Sequence, residues 1–164
     1  MRRRFVFAMS CVLVLSGCSG MRYQGPYEWN DAAILSGNLP YQPLQWNVIT
    51  SAVSRADATV YTVFGNDEAS RFARSGADGR YPIGARVSLV AWTLRPAPRW
   101  FGGMIPGAVK SVEFASVIAA ANRRTEYVYG RFEGNPLQLV ASQKESSPTG
   151  RIAYLLEQRS ALMP

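Results

Sequence analysis

The sequence predicts an α+β domain. It has an antiparallel β-sheet of about five strands, one helix after the second strand and a second helix at the C-terminus. Three observations lead there. Short runs dense in β-branched and aromatic residues recur between Gly, Pro and Asn punctuation. Two other stretches carry apolar residues at helical spacing behind good capping residues. After the first of those helices, the strands follow one another directly.

The elements fall in a clear order. Asn30–Leu35 predicts a short helical turn. The domain proper begins near Leu44, where Trp46, Val48 and Thr50 alternate with Gln45, Asn47 and Ile49 as a first strand. Ala58–Phe64 is the second strand and stops at Gly65. Asn66 then suits a helix N-cap, with Asp67 and Glu68 in the first turn and Arg71 and Arg74 near the end. Asp67 and Arg71 stand at i,i+4 as an acid–base pair, and Gly76 closes the helix. Tyr81-Pro82 marks a turn-rich connection to a third strand, Ala85–Arg95. There Val87, Leu89 and Ala91 share one face, and Arg86, Ser88, Val90, Trp92 and Leu94 the other. Pro96–Gly107 reads as a long loop holding Trp100-Phe101. Lys110–Ala119 and Glu126–Phe132 are the fourth and fifth strands. Gly134-Asn135-Pro136 turns the chain before a short run, Leu137–Ala141. Ser147-Pro148 opens the last helix, with Ile152, Leu155 and Leu156 as its apolar stripe and Arg151, Glu157 and Gln158 placed elsewhere.

The N-terminal residues give an address. Arg2, Arg3 and Arg4 precede an apolar run, Phe5–Leu15, which is shorter than the ~17–25 residues of a membrane-spanning helix. Leu15-Ser16-Gly17-Cys18 follows. This stretch resembles a bacterial lipoprotein signal peptide with its lipobox. The resemblance implies cleavage before Cys18, lipid on that cysteine and, with Ser19 next, an outer-membrane position facing the periplasm. The expected organisation is a signal peptide at 1–17, a lipidated tether at 18–43 and a folded domain at 44–164. Tyr23, Tyr27, Trp29 and Tyr41 are too many aromatics for a fully solvated tether, so part of it is expected to lie along the domain.

Composition excludes more than it assigns. The chain has 18 basic and 11 acidic side chains. Without the three signal arginines the balance is 15 to 11, and no basic cluster with interleaved aromatics supports nucleic-acid binding. Histidine is absent, and Cys11 and Cys18 are the only cysteines. After processing, no thiol is left for a disulfide. Serine–histidine hydrolysis, Cys/His zinc sites and haem on a histidine lose the residues they need.

Ordered words along the domain also resemble cytochrome P-460 family domains. They are Thr59–Phe64 followed by Gly65-Asn66-Asp67-Glu68-Ala69, then Tyr81-Pro82-Ile83-Gly84-Ala85, then Trp92, Trp100, Pro106-Gly107 and Glu113-Phe114. The likeness covers about Trp46–Gly134. It implies the P-460 fold and, in the family, a haem attached through Cys-x-x-Cys-His near the C-terminus. Here that region, about Ser142–Tyr154, has neither residue type. Leu89 stands where crosslinked family members carry a lysine, and Ile83 where an aspartate is frequent. The expectation is therefore a domain with no cofactor.

The leading functional expectation is a membrane-anchored, haem-free module that binds a small apolar ligand or an envelope protein. Its candidate pocket lining is Trp92, Trp100, Phe101, Met104 and Phe114, and its candidate polar site is Arg86 with Glu113, paired across neighbouring strands. The alternatives are a structural envelope protein whose pocket has collapsed around Leu89, a haem-binding redox protein using Met104 or a tyrosine, and a non-haem enzyme built on Glu113, Asp67 and Arg86. Cys18 is the expected lipidation site.

Overall fold

In the computed structural model, which describes residues 30–77, 79–121, 124–140 and 148–160, six strands form one antiparallel sheet. Their spatial order is their chain order: β1 Asn47–Ser54, β2 Thr59–Gly65, β3 Arg86–Pro96, β4 Met104–Ala119, β5 Thr125–Glu133 and β6 Gln138–Leu139. α1 (Asp67–Arg74) joins β2 to β3, and α2 (Pro148–Glu157) ends the described fold. The signal residues, Cys18, positions 19–29 and the Ser147 cap lie outside the described residues.

The α+β class stands, and the sheet has one strand more than expected. β6 is the front of the Leu137–Ala141 run, paired to β5 through Phe132↔Leu139 and Glu133↔Gln138. A larger difference lies at β3 and β4. The segment expected as the long Pro96–Gly107 loop is largely hairpin, because pairing continues through Leu94↔Pro106, Arg95↔Ile105 and Pro96↔Met104. Pro96 and Pro106 are tolerated there because this stretch has no third strand beside it. β1 also differs. A bulge between Val48 and Thr50 reverses the expected alternation, so that Ile49 enters the core and Val48 stays exposed.

Both faces of the sheet are covered, which explains why β3 and β4 are apolar on both sides. One face, here the helix face, packs Val63, Val87, Leu89, Ala115 and Val117 against Ala69 and Ala73 of α1 and Leu155 of α2. Leu155 is completely buried, and full burial of such a side chain contributes about 2 kcal/mol relative to exposure. The other face carries Phe64, Val90, Trp92, Val112, Phe114 and Phe132. Residues of the expected tether, Ala33, Leu35, Leu39 and Tyr41, lie across it together with Trp46. Trp92 Nε1 donates to the carbonyl of Ala33 at 3.0 Å, and the Leu137 amide donates to that of Ser36 at 2.8 Å. Asp31–Ala33 forms the short helical turn as a single 3-10 turn.

Asn66 ties the two family-like words together. Its Oδ1 accepts the Ala69 amide at 3.1 Å as the N-cap of α1 and also accepts the Arg86 amide at 3.0 Å. Its Nδ2 donates to the carbonyl of Gly84 at 2.9 Å. Gly84 needs its freedom, at φ +91°. Gly65 is required for a different reason: a Cβ there would stand 2.7 Å from Ile49 Cδ1 and 2.9 Å from Ala69 Cβ. Arg71 pairs with Glu68 instead of the Asp67 carboxylate, and its Nε donates to the Asp67 carbonyl at 3.2 Å.

Asn66→Ala removes the cap and both links to the third strand. It should lower unfolding free energy by about 2 kcal/mol, read from the urea midpoint.

Candidate functional site

The most polar part of the interior is built around Glu113, whose side chain is 3% exposed at the middle of β4. Period-two alternation places it on the helix face, opposite Leu89 on β3 and Arg131 on β5. A charged carboxylate so placed needs a partner and several donors. Arg151 of α2 supplies both, with Nη2 to Oε1 at 2.7 Å and Nε to Oε2 at 3.0 Å. This is the two-pronged geometry that suits guanidinium and carboxylate. Tyr129 adds a third donor, its hydroxyl 2.7 Å from Oε2.

A second ring of groups closes around the pair. The Arg151 guanidinium lies 4.9 Å from the centroid of Tyr154, stacked on the ring. The Tyr154 hydroxyl in turn donates to that of Tyr61 on β2 at 3.2 Å. Strands β2, β4 and β5 are thus joined to α2 by one polar network. Burial, and the Glu113 carboxylate that holds its proton, push the Tyr129 hydroxyl up to about 12. Burial and the bond to Tyr61 do the same for Tyr154. The bond to Glu113 raises Arg151 as well, so the guanidinium stays charged. With three donors on Glu113, the network's chemistry is that of a clamp. Both carboxylate oxygens are engaged by these donors.

The expected Arg86–Glu113 pair is not formed, and register explains why. Arg86 is paired with Ser116 and points to the opposite face from Glu113, where its guanidinium stacks 4.9 Å from the Tyr41 ring centroid. Lys110, also on β4, donates to Thr59 Oγ1 at 3.5 Å. Asp67 is at the start of α1, where its carboxylate accepts from Asn47 at 3.3 Å. The three polar residues proposed for an enzyme therefore occupy three separate places. Arg151 was legible in principle: it stands four residues before Leu155, on the same helical stripe, so its grouping with the polar positions was the misreading.

The five candidate pocket residues also separate. Trp92 and Phe114 are buried together in the second core, where Phe114 meets Tyr41 at 5.6 Å and Phe132 at 5.8 Å between ring centroids. Trp100, Phe101 and Met104 are 75%, 104% and 53% exposed at the end of the β3–β4 hairpin. Among the described residues they line no enclosed pocket, because β2 pairs only as far as Thr93 and β5 only as far as Ser111. Among the described residues, no three His, Cys, Asp or Glu side chains gather where a metal ion would be held. None of their helices is long and apolar enough to cross a membrane.

No protein-family model matches the chain, and no curated protein resembles it.

Two outcomes test the clamp. Arg151→Ala leaves a buried carboxylate without its counter-ion and should cost about 3 kcal/mol by denaturant titration, with most of the loss persisting in Arg151→Lys because lysine lacks the fork. The raised tyrosines set a pH dependence. Their folded values lie above the ordinary 10, so their contribution is complete below pH 10 and is lost as pH climbs toward about 12. The urea midpoint should therefore fall over that window, and fall less steeply in Tyr129→Phe.

Proposed function

We propose that the chain is an envelope lipoprotein, anchored through lipid on Cys18 and facing the periplasm from the outer membrane. In this reading the domain has the form of a cytochrome P-460 domain without haem and serves as an interaction module. The observation that carries the interaction role is the hairpin end, where Trp100 and Phe101 are held outside both cores. An ordered turn keeps them there: the Ala97 amide donates to Gly103 at 2.8 Å and the Gly103 amide to Trp100 at 2.9 Å. Large exposed apolar side chains on a fixed backbone mark a contact surface.

The anchor is supported by Arg2-Arg3-Arg4, the run Phe5–Leu15 and Leu15-Ser16-Gly17-Cys18. The P-460 likeness is supported by an antiparallel sheet with a helix after the second strand and one at the end. It gains further support from the way Asn66 bonds to Gly84 and Arg86, which makes the two best-matched words one structural unit. Haem does not fit this chain. The chain has no histidine, its one cysteine beyond the signal is Cys18, and Met104 stands exposed on the hairpin. Leu89, at the position of the crosslinking lysine, is buried against its neighbours on the helix face.

The second reading, a structural envelope protein with a collapsed pocket, is favoured by one observation. Leu89 and Leu155 fill the helix face beside the Glu113 clamp. A small apolar ligand would need that packing to open.

Cells fed labelled palmitate should yield labelled, membrane-bound protein, and Cys18→Ser should abolish both the label and the membrane fraction. The processed protein purified from its native host should show no Soret absorbance; such a band would overturn the haem-free reading.

A further inference from the structure

The β3–β4 hairpin projects beyond its neighbours. β2 pairs with β3 only as far as Thr59↔Thr93, and β5 with β4 only as far as Ser111↔Glu133. Residues from Leu94 to Ile105 therefore stand out as a two-stranded arm with Trp100 and Phe101 at its end. Phe101 is fully exposed, and the turn that carries it is closed by its own backbone hydrogen bonds. The aromatics are thus presented by an ordered loop.

Three further observations say what they are presented to. First, the arm is cationic: from Leu94 to Ile105 it carries Arg95 and Arg99, and the sequence has no Asp or Glu from 79 to 112. Second, the end of the arm combines Trp and Phe with a flanking arginine. Side chains of this kind settle at the boundary between phospholipid headgroups and acyl chains, and basic residues favour anionic headgroups there. Third, the chain leaves the domain at the base of this arm. Asn30 Nδ2 donates to the carbonyl of Pro106 at 2.7 Å and to that of Gly107 at 3.3 Å. Only residues 19–29 separate Asn30 from Cys18. Eleven residues reach at most about 40 Å. The anchor therefore tethers the domain from the end of the sheet that carries the hairpin.

We infer that Trp100 and Phe101 seat in the headgroup layer of the membrane that carries the acylated Cys18, giving the domain a second contact that fixes its orientation on an anionic phospholipid surface. This rests on the anchor reading above. The acyl chains hold the protein on the membrane, and the hairpin sets which side of the sheet faces the periplasm. Trp92 and Trp46 belong to the second core, and Trp29 is common to both proteins compared, so the difference made by Trp100→Phe reports the contact.

The test uses the full acylated protein in vesicles of phosphatidylethanolamine and phosphatidylglycerol, with and without brominated acyl chains. Bromine should quench tryptophan emission in the unsubstituted protein, and Trp100→Phe should lose Trp100's share of that quenching while remaining equally vesicle-bound. In cells, a photo-crosslinking side chain in place of Phe101 should give phospholipid adducts. Equal quenching in both proteins, with palmitate label present, would overturn the membrane contact and leave the anchor standing. Crosslinks from position 101 to a protein or to a second copy of the chain would overturn it in favour of that partner. A soluble, unlabelled protein would overturn the anchor reading and this inference with it.

Discussion

A carboxylate buried at the centre of a sheet has to be neutralised from outside its own strand. Glu113 imposes that condition here. Its neighbours across β3 and β5 are Leu89 and Arg131, and the groups that meet its charge are Arg151 of α2 and Tyr129 of β5. The requirement fixes where α2 lies. Leu155, one helical turn beyond Arg151, is thereby delivered into the apolar part of the same face. The ends of α2 are held in the same spirit. Tyr81 donates to the Gln158 carbonyl at 2.6 Å, and Arg159 stacks over Phe72 and Tyr81. A buried ion pair adds little net stability over an apolar replacement, but it rejects any docking of the helix that leaves the carboxylate bare.

The opposite face is solved by a different device. Among the described residues it carries no α-helix, and its aromatic surface is covered by the chain before β1. Trp46 and Tyr41 meet Phe114 edge-on at centroid distances of 6.2 and 5.6 Å, which extends the core by packing alone. Bonds from Trp92 to Ala33, from Leu137 to Ser36 and from Asn30 to Pro106 keep that segment in register. The sheet is therefore a three-layer structure of unequal layers: two helices, the strands, and an irregular strap. One consequence reaches function. The strap brings the N-terminal chain to the foot of the β3–β4 arm, so Asn30 and the exposed aromatics share one end of the domain.

Much of the local structure was legible. The cap at Asn66, the turn at Gly84, the alternation through β3 and the capped helix Asp67–Arg74 follow from side-chain chemistry within a few residues. The differences arise where distant partners decide. The bulge at Val48 depends on the pairing of β1 with β2, and Ile49 is drawn in by the space Gly65 leaves. The hairpin was hidden by its prolines and glycines, which read as loop residues although no third strand there requires their missing donors. Arg86 and Glu113 lie on neighbouring strands, yet Arg86 pairs with Ser116, three residues from Glu113, and that odd offset puts them on opposite faces.

By itself the sequence determined the chemistry at hand and the chemistry lacking: an antiparallel α+β domain, no histidine, and no cysteine after Cys18. These depend on composition and on patterns a few residues long. Only the tertiary structure decided that Glu113 belongs to Arg151, that Trp92 and Phe114 are core, and that Trp100 and Phe101 stand outside it. Each of those outcomes depends on which residues from remote parts of the chain meet across a sheet. Register and helix docking settle that, and no local pattern encodes either one.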